Sequence, residues 1–363
     1  MRFLVTGGAG FIGSHIVERL LKEGHYVRVL DNFSSGKRDN LSFVIAMSPE
    51  GATKQSQNNF ELIEGDIRDY NACSQATKDI DYVLHQAALR SVPRSMTMPH
   101  EYNAVNIDGF VNILEAALKN KVKRVVYASS SSVYGDATSF PQKETDPCNP
   151  ISPYALTKLV DEHYASIFSI NFGLETVGLR YFNVFGPRQS ADDEYAIVIP
   201  KFANCILDDK NPPIHGTGKQ SRDFTYVDNV VEANILAATR HCDEPRRGDE
   251  AISKTFCEVF NVACGSDNTI LNLVDTLNVI MNKSIKPVLG PIRQGDVFRT
   301  CADNSKIKSV LGFVPKINFK EGLERTARSF KILRDERKEA GGKKKAVNMA
   351  GCNKLHHNYS ECN

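Results

Sequence analysis

Short apolar runs alternate with longer stretches of helical period along the first half of the chain. Phe3-Leu4-Val5 predicts a buried strand, and from Ser14 to Glu23 the residues Ile16, Val17, Leu20 and Leu21 recur at helical spacing. Val27 to Asp31, Phe60 to Ile63, Asp81 to His85, Val125 to Ala128 and Thr176 to Arg180 predict further strands. Between them lie a segment from Glu101 to Lys119, with Val105, Phe110, Ile113, Leu114 and Ala117 on one side, and a helix opened by Pro153. Strands alternating with helices read as an α/β fold, a Rossmann-type doubly wound parallel sheet covered on both faces.

From Tyr181 the segments become shorter and more mixed. A helix is expected from about Val198 to Leu207, and one more helix-strand unit at Asn229 to Thr239 and Val259 to Val262. We therefore expect residues 1–180 to form the sheet domain, with the 229–262 unit returning to it. Residues 181–333 would be mainly a smaller mixed α/β lobe that closes over a ligand. Two polar stretches, 43–59 and 241–257, read as loops. The last residues, 334–363, read as a disordered tail, polar and basic at Lys343-Lys344-Lys345.

Charge narrows the partners. Lys+Arg total 45 against 43 Asp+Glu, a net charge of +2, which argues against nucleic acid or an acidic membrane surface. The nine cysteines are scattered without a Cys-x-x-Cys pair, so reduced thiols and a cytoplasmic setting are expected. Cys352, His356, His357 and Cys362 crowd into the tail, where a metal site has no packed core to hold it, and no metal is expected. No apolar run is long enough to span a bilayer, and a glycine turn interrupts the N-terminal apolar run, so no secretory signal is expected there.

Candidate chemistry sits where strands end. Gly7-x-x-Gly10-x-x-Gly13 lies between the first strand and a helix, with Phe11 and Ile12 opening that helix; this arrangement places a pyrophosphate on a helix N-terminus. Asp31 ends the second strand, where a carboxylate can accept both hydroxyls of an adenosine ribose and disfavours a 2′-phosphate. The small residues after Gln86, Ala87 and Ala88, let backbone lie against a cofactor, whereas His85 reads as a satisfied core histidine. Ser129-Ser130-Ser131-Ser132 follows the fifth strand. Further on, Tyr154 and Lys158 are four residues apart and share one helix face. An ammonium beside a phenol favours the phenolate, and a serine hydroxyl would complete a proton-handling site.

Together these motifs resemble the extended short-chain dehydrogenase/reductase superfamily. Within it the chain resembles the nucleotide-sugar epimerases, most of all the UDP-N-acetylglucosamine 4-epimerases. The resemblance runs from about Arg2 to Phe330. It rests on Thr6 to Gly13, Gly65-Asp66-Ile67-Arg68, His85 to Ala88, Ser91-Val92-Pro93-Arg94-Ser95, Ser129 to Gly135, Ser152 to Lys158, Leu179 to Pro187 and Ser221-Arg222-Asp223-Phe224. It implies tightly held NAD, a UDP-sugar substrate and a homodimer through the helices of Glu101–Lys119 and Pro153–Phe172. Tyr154 would be the base, Lys158 would bind the nicotinamide ribose, and Ser130, with Ser131 behind, would meet the hydroxyl at carbon 4. Asn32 would join Asp31 on the cofactor, Asp66 and Ile67 would meet the adenine, Gln86, Ala87, Ala88 and Asn106 would also contact the cofactor, and Tyr181 would border the nicotinamide. Ser91, Asn183, Val198, Arg222, Arg293 and Asp296 would hold the UDP-sugar. Thr300 aligns with the position beside the substituent at carbon 2, where a small residue resembles the enzymes that admit N-acetyl groups.

The reading that follows is reversible epimerisation at carbon 4 of a UDP-sugar, with UDP-N-acetylglucosamine and UDP-N-acetylgalactosamine favoured over the plain hexose pair. A 4,6-dehydratase would carry an Asp-Glu pair where this chain has Ser131 and Ser132. A UDP-glucuronate epimerase or decarboxylase would want cations such as Arg90 or Arg299 around a sugar carboxylate. A non-catalytic NAD-binding regulator typically loses the Tyr or the Lys, and both are present.

Overall fold

The computed structural model describes residues 1–46, 59–190, 198–240, 255–292, 297–332 and 334–335. Most of the two polar loops, nearly all of the tail, and Arg293 and Asp296 lie outside the described residues.

Seven strands form one parallel sheet. They are β1 (Arg2–Thr6), β2 (Tyr26–Asp31), β3 (Phe60–Glu64), β4 (Tyr82–His85), β5 (Arg124–Ser130), β6 (Glu175–Tyr181) and a late strand at Cys257–Val262, in the order late strand, β6, β5, β4, β1, β2, β3. The period of two sends alternate residues of β1 to opposite faces. Phe3 and Val5 join a core with Ile16, Val17 and Leu20 of the first helix (Phe11–Lys22) and Val230, Ala233 and Ala237 of the Val227–Thr239 helix. Leu4 joins the other core with Phe110, Ile113 and Leu114 of the Gly109–Lys119 helix and Ala165 and Phe168 of the Pro153–Phe172 helix. Both faces are covered, as a parallel sheet requires.

Beyond the sheet the strands are short. β7 (Val184–Phe185), β8 (Pro213–His215), β9 (Ser221–Asp223) and β10 (Thr225–Tyr226) precede the late strand, which is β11; β12 (Asp267–Thr269) and β13 (Val288–Gly290) follow. β7 pairs with β10, β9 with β12, and β8 with β13. The helix-strand unit anticipated at 229–262 delivers β11 to the sheet beside β6, in register Val262 to Tyr181.

The segment from Glu101 to Lys119 departs from a single helix. It runs as α-helix over Pro99–Tyr102, π-helix over Asn103–Asp108 and α-helix over Gly109–Lys119. The wide turn carries Asn106, whose side chain is spent on a neighbouring loop. A π turn inside an α-helix marks such a constraint. Among the described residues no helix is long and apolar enough to cross a membrane.

Candidate active site

The sheet order reverses direction between β1 and β4, and the carboxyl ends of these strands form the crevice where doubly wound sheets bind ligands. Gly7 lies there at φ +66°, and a Cβ on it would come within 2.8 Å of the Ala87 nitrogen; one on Gly13 would come within 2.1 Å of the Gly7 oxygen. These two glycines serve the chain's own packing. Gly10 differs, because an added Cβ meets a single atom within 4 Å, the Gly7 oxygen at 3.1 Å. Gly10 is also the N-cap of the first helix and supplies no side-chain cap, so the N–H groups of Phe11, Ile12 and the rest of the first turn keep their capacity to donate. A bare turn against an uncapped helix start fits a dinucleotide pyrophosphate.

Asp31 fastens this turn. Its Oδ2 accepts from Ala9 N at 2.9 Å and its Oδ1 from Phe33 N at 2.8 Å. Burial pushes its carboxyl up, against those two N–H donors. Each oxygen keeps a lone pair for a ribose hydroxyl. Next to it Asn32 donates to Asp66 Oδ2 at 2.8 Å, while Arg68 grips Asp66 in a fork of 3.0 and 2.7 Å. The Arg68 fork, as the largest influence, holds the Asp66 carboxyl well below the usual range. Ile67 is buried with its side chain against Gly109, where a Cβ would lie 2.6 Å away. Ile67 therefore offers a ligand its backbone at most.

On the other side of the crevice Gln86 accepts from Tyr181 at 3.1 Å and donates to Asn234 at 3.0 Å, and Asn234 donates back to Tyr181 at 2.8 Å. That ring of bonds orients Tyr181 and spends the Gln86 amide. Ala87 N donates to Thr6 Oγ1 at 3.3 Å, and Thr6 shares a 2.8 Å bond with His85 Nδ1. His85 is buried, and burial first, then the charge of Lys158, lowers it to about 3. The Asn106 side chain is engaged within the chain itself. It has no exposed surface; its Oδ1 accepts from Leu89 N at 2.8 Å and its Nδ2 donates to Leu89 O and Thr157 Oγ1, both at 3.0 Å. It ties the 86–91 loop to the helix of Tyr154.

That helix begins as predicted. Ser152 caps it by accepting from Ala155 N at 3.2 Å, and Pro153 occupies the first turn. Tyr154 stands edge-on to Tyr102, with ring centres 6.4 Å apart. Lys158 is buried, and its Nζ reaches Asp161 Oδ2 at 3.1 Å. Ser130 at the end of β5 accepts from Ser132 N at 3.2 Å, which leaves its hydroxyl hydrogen to donate. Ser131 opens the following 3-10 turn.

Several of the residues expected to hold the sugar nucleotide lie on or beside the short strands. Asn183 donates to the Asp223 carbonyl at 3.1 Å and to Thr300 Oγ1 at 3.0 Å; Asp223 N also donates to Thr300 Oγ1, at 3.3 Å. Arg222 is held by the carbonyls of Ser221 and Phe298 at 2.9 and 3.2 Å. Ser91 caps the Val92–Thr97 helix, accepting from Arg94 N at 3.2 Å. Val198 opens the Val198–Leu207 helix.

Three buried carboxylates escaped the sequence reading. Asp161 is the counter-ion of Lys158, and burial pushes it up to about 7 against the pull of that ammonium. Its spacing of three from Lys158 on a helix was the available signal. Glu162 takes a fork from Arg180 at 2.9 and 2.7 Å and a bond from the Ser129 hydroxyl at 2.5 Å, locking the serine strand to the tyrosine helix. Asp223, third of the group, gathers backbone N–H groups from segments far apart in sequence; it lies in the Ser221-Arg222-Asp223-Phe224 motif, which gives no sign of that role.

Comparison with known proteins agrees with this geometry. Residues 3–252 match the NAD dependent epimerase/dehydratase family. A UDP-glucose 4-epimerase of Mycolicibacterium smegmatis is 35% identical over 333 residues, 91% of this chain and 99% of the relative. The solved UDP-N-acetylglucosamine 4-epimerase of Methanobrevibacter ruminantium, in complex with UDP-N-acetylmuramic acid, superposes with a TM-score of 0.79 at 39% identity, covering 91% of this chain and 97% of that one. The UDP-glucose 4-epimerase of Thermotoga maritima, solved with UDP-glucose, gives 0.80 at 36% identity over 92% and 99%.

Proposed function

Because this chain belongs to the NAD-dependent epimerase/dehydratase family and is an NAD-dependent nucleotide-sugar epimerase, we propose that it interconverts UDP-N-acetylglucosamine and UDP-N-acetylgalactosamine. The observation that carries the acetylated pair is Thr300. The residue is small and its hydroxyl already accepts from Asn183 and from Asp223 N, so its own hydrogen remains to be donated. An acetamide carbonyl at carbon 2 is the acceptor such a hydroxyl suits.

Gly7, Gly10, Phe11, Ile12, Gly13 and Asp31 would hold the cofactor. Bound NAD supplies a reversible hydride acceptor at carbon 4. Tyr154 takes the hydroxyl proton from carbon 4 and later returns it. Ser130 donates its free hydrogen to the same oxygen, and Lys158, braced by Asp161, stays on the Tyr154 face of the helix. The 4-keto sugar turns over between the two hydride transfers, so the sugar side has to hold the UDP firmly while leaving the hexose room. A glucuronate reading needs a cation for the sugar carboxylate; of Arg90 and Arg299, the second is committed to Asp267 through a fork of 2.9 and 3.0 Å. The plain hexose pair is the second reading, favoured by the two UDP-glucose relatives.

The proposal includes a homodimer. Leu156, Ile167 and Ile170 form a stripe on the Pro153–Phe172 helix opposite Tyr154, and each is about half exposed, at 51%, 49% and 53%.

Incubating the protein with a panel of UDP-sugars, without added NAD, and identifying products by NMR tests the function. Turnover of the acetylated pair is expected. Thr300→Tyr should then fill the space beside carbon 2, at a cost of about 1–3 kcal/mol, or roughly ten- to two-hundred-fold in discrimination, while the plain pair is spared. Equal loss on both pairs, or no parental activity on acetylated sugars, ends the substrate assignment.

A further inference from the structure

Asp223 lies under the wall that carries Thr300, fully buried at the end of β9. Its Oδ1 accepts from Cys264 N at 3.0 Å, and its Oδ2 from Gly265 N at 3.0 Å and Ala302 N at 3.2 Å. Its backbone makes two more bonds, from N to Thr300 Oγ1 and from Asn183 Nδ2 to O. One residue thus joins β9, the turn after β11 and the 300–302 strap. All three side-chain partners are neutral N–H donors.

The surrounding charges are few. Asp267, opposite Asp223 in the β9–β12 register, is the facing carboxylate, and it is occupied by Arg299 and the Ser221 hydroxyl. Arg222 precedes Asp223 on its own strand. Cys264 and Cys301 stand on the two gathered segments, and burial first, then the Asp223 charge, pushes their thiols up to about 12 and about 11. Cys264, Gly265, Cys301 and Ala302 also line a groove of about 520 Å³, so water reaches the outer side of the cradle.

We propose that Asp223 is the positioning residue of the sugar-binding wall, holding Thr300 and Asn183 in place through the N–H groups of Cys264, Gly265 and Ala302 as long as its carboxylate is ionised. A protonated carboxyl presents a hydrogen to donors that need an acceptor, so at least one of the three bonds is lost. The strap that carries Thr300 is then released from the turn that carries Gly265. Burial, as the largest influence, pushes the carboxyl up to about 6, against the three N–H bonds, with Asp267 adding to the rise. The switch therefore falls where an enzyme assay can read it.

The inference rests on the epimerase reading. The test measures KM for the UDP-sugar, kcat and retained NAD from pH 7.5 to 5.0 in the parent, Asp223→Asn and Asp267→Asn, with amide hydrogen exchange at Cys264, Gly265 and Ala302 corrected for intrinsic rates. A UDP-sugar has no group that titrates in this range. If the ionised form alone binds, KM rises about fourfold by pH 5.5 and about tenfold by pH 5.0, with NAD retained, while kcat separately carries the titration of Asp161 beside Lys158. Asp223→Asn should show a raised KM at every pH and no midpoint. Asp267→Asn, which keeps Asp223, should move the midpoint to lower pH, and it serves if the first variant fails to fold. A parental KM flat through pH 6, or the same rise in Asp223→Asn, overturns the proposal while turnover leaves the epimerase reading standing. If no UDP-sugar turns over, that reading falls instead. Exchange then decides for Asp223, with protection at the three amides that does not weaken below pH 6 defeating it.

Discussion

His15 shows how one ring couples the cofactor domain to acid. It sits on the first helix, bonded through Nε2 to the Pro187 carbonyl at 3.0 Å and edge-on to Phe11 at 5.9 Å. Burial first, then the Arg188 charge, lowers its pKa from 6.5 to about 4. A depressed pKa means that the fold keeps the ring neutral. Its contribution to stability is whole above about pH 6.5 and is lost as pH falls toward 4, by at most about 1.4 kcal/mol per pH unit. His15→Gln keeps a donor for Pro187 and should flatten the pH dependence of unfolding by urea between pH 6.5 and 4.5. An unchanged slope would assign the acid loss elsewhere, to His85 for one. At this scale the sequence shows what lies within a helix turn. Tyr154 and Lys158 are legible because four residues make one face, and Asp161 was equally so. The bonds of Asn106 were not legible because its partners, Leu89 and Thr157, lie 17 and 51 residues away, and nothing local announces a side chain that holds a distant loop.

The glycine turn separates packing from binding within one element. Gly13→Ala would drive a Cβ to 2.1 Å from the Gly7 oxygen, forcing helix and turn apart at a cost of about 1–3 kcal/mol or more. Gly10→Ala meets that oxygen at 3.1 Å and asks for a shift of tenths of an ångström. We expect Gly10→Ala to keep a urea midpoint near the parent yet lose its NAD on purification, and Gly13→Ala to lose both. Retained NAD in Gly10→Ala would move the pyrophosphate away from this turn. The turn itself was readable, since strand, glycines and helix follow one another in sequence. The Asn103–Asp108 π turn was not. Its apolar residues satisfy an ordinary helical period, and the tertiary bonds of Asn106 that accompany the wide turn join residues far apart in sequence. The short strands β7 and β10 were missed for a related reason: two residues make no pattern, and their pairing joins positions 184 and 225.

For the whole molecule, the half-exposed stripe of Leu156, Ile167 and Ile170 is the face expected to be covered by a second copy. Ile167→Glu with Ile170→Glu would place two charges there, and sedimentation should change from dimer to monomer while bound NAD persists. A dimer that survives both charges would remove this helix from the interface. The sheet carries a different consequence, through the late arrival of β11. The chain leaves the sheet at Tyr181 and completes it only at Val262, roughly 80 residues later. Until then β6, with Val177 and Leu179 in the core, is an outer strand whose free N–H and C=O groups can pair with any neighbour. On a ribosome working at about 5–20 residues per second, that edge stays open for roughly 4–16 seconds. The stretch that carries the short strands is thus also an interval in which the β6 edge stands exposed.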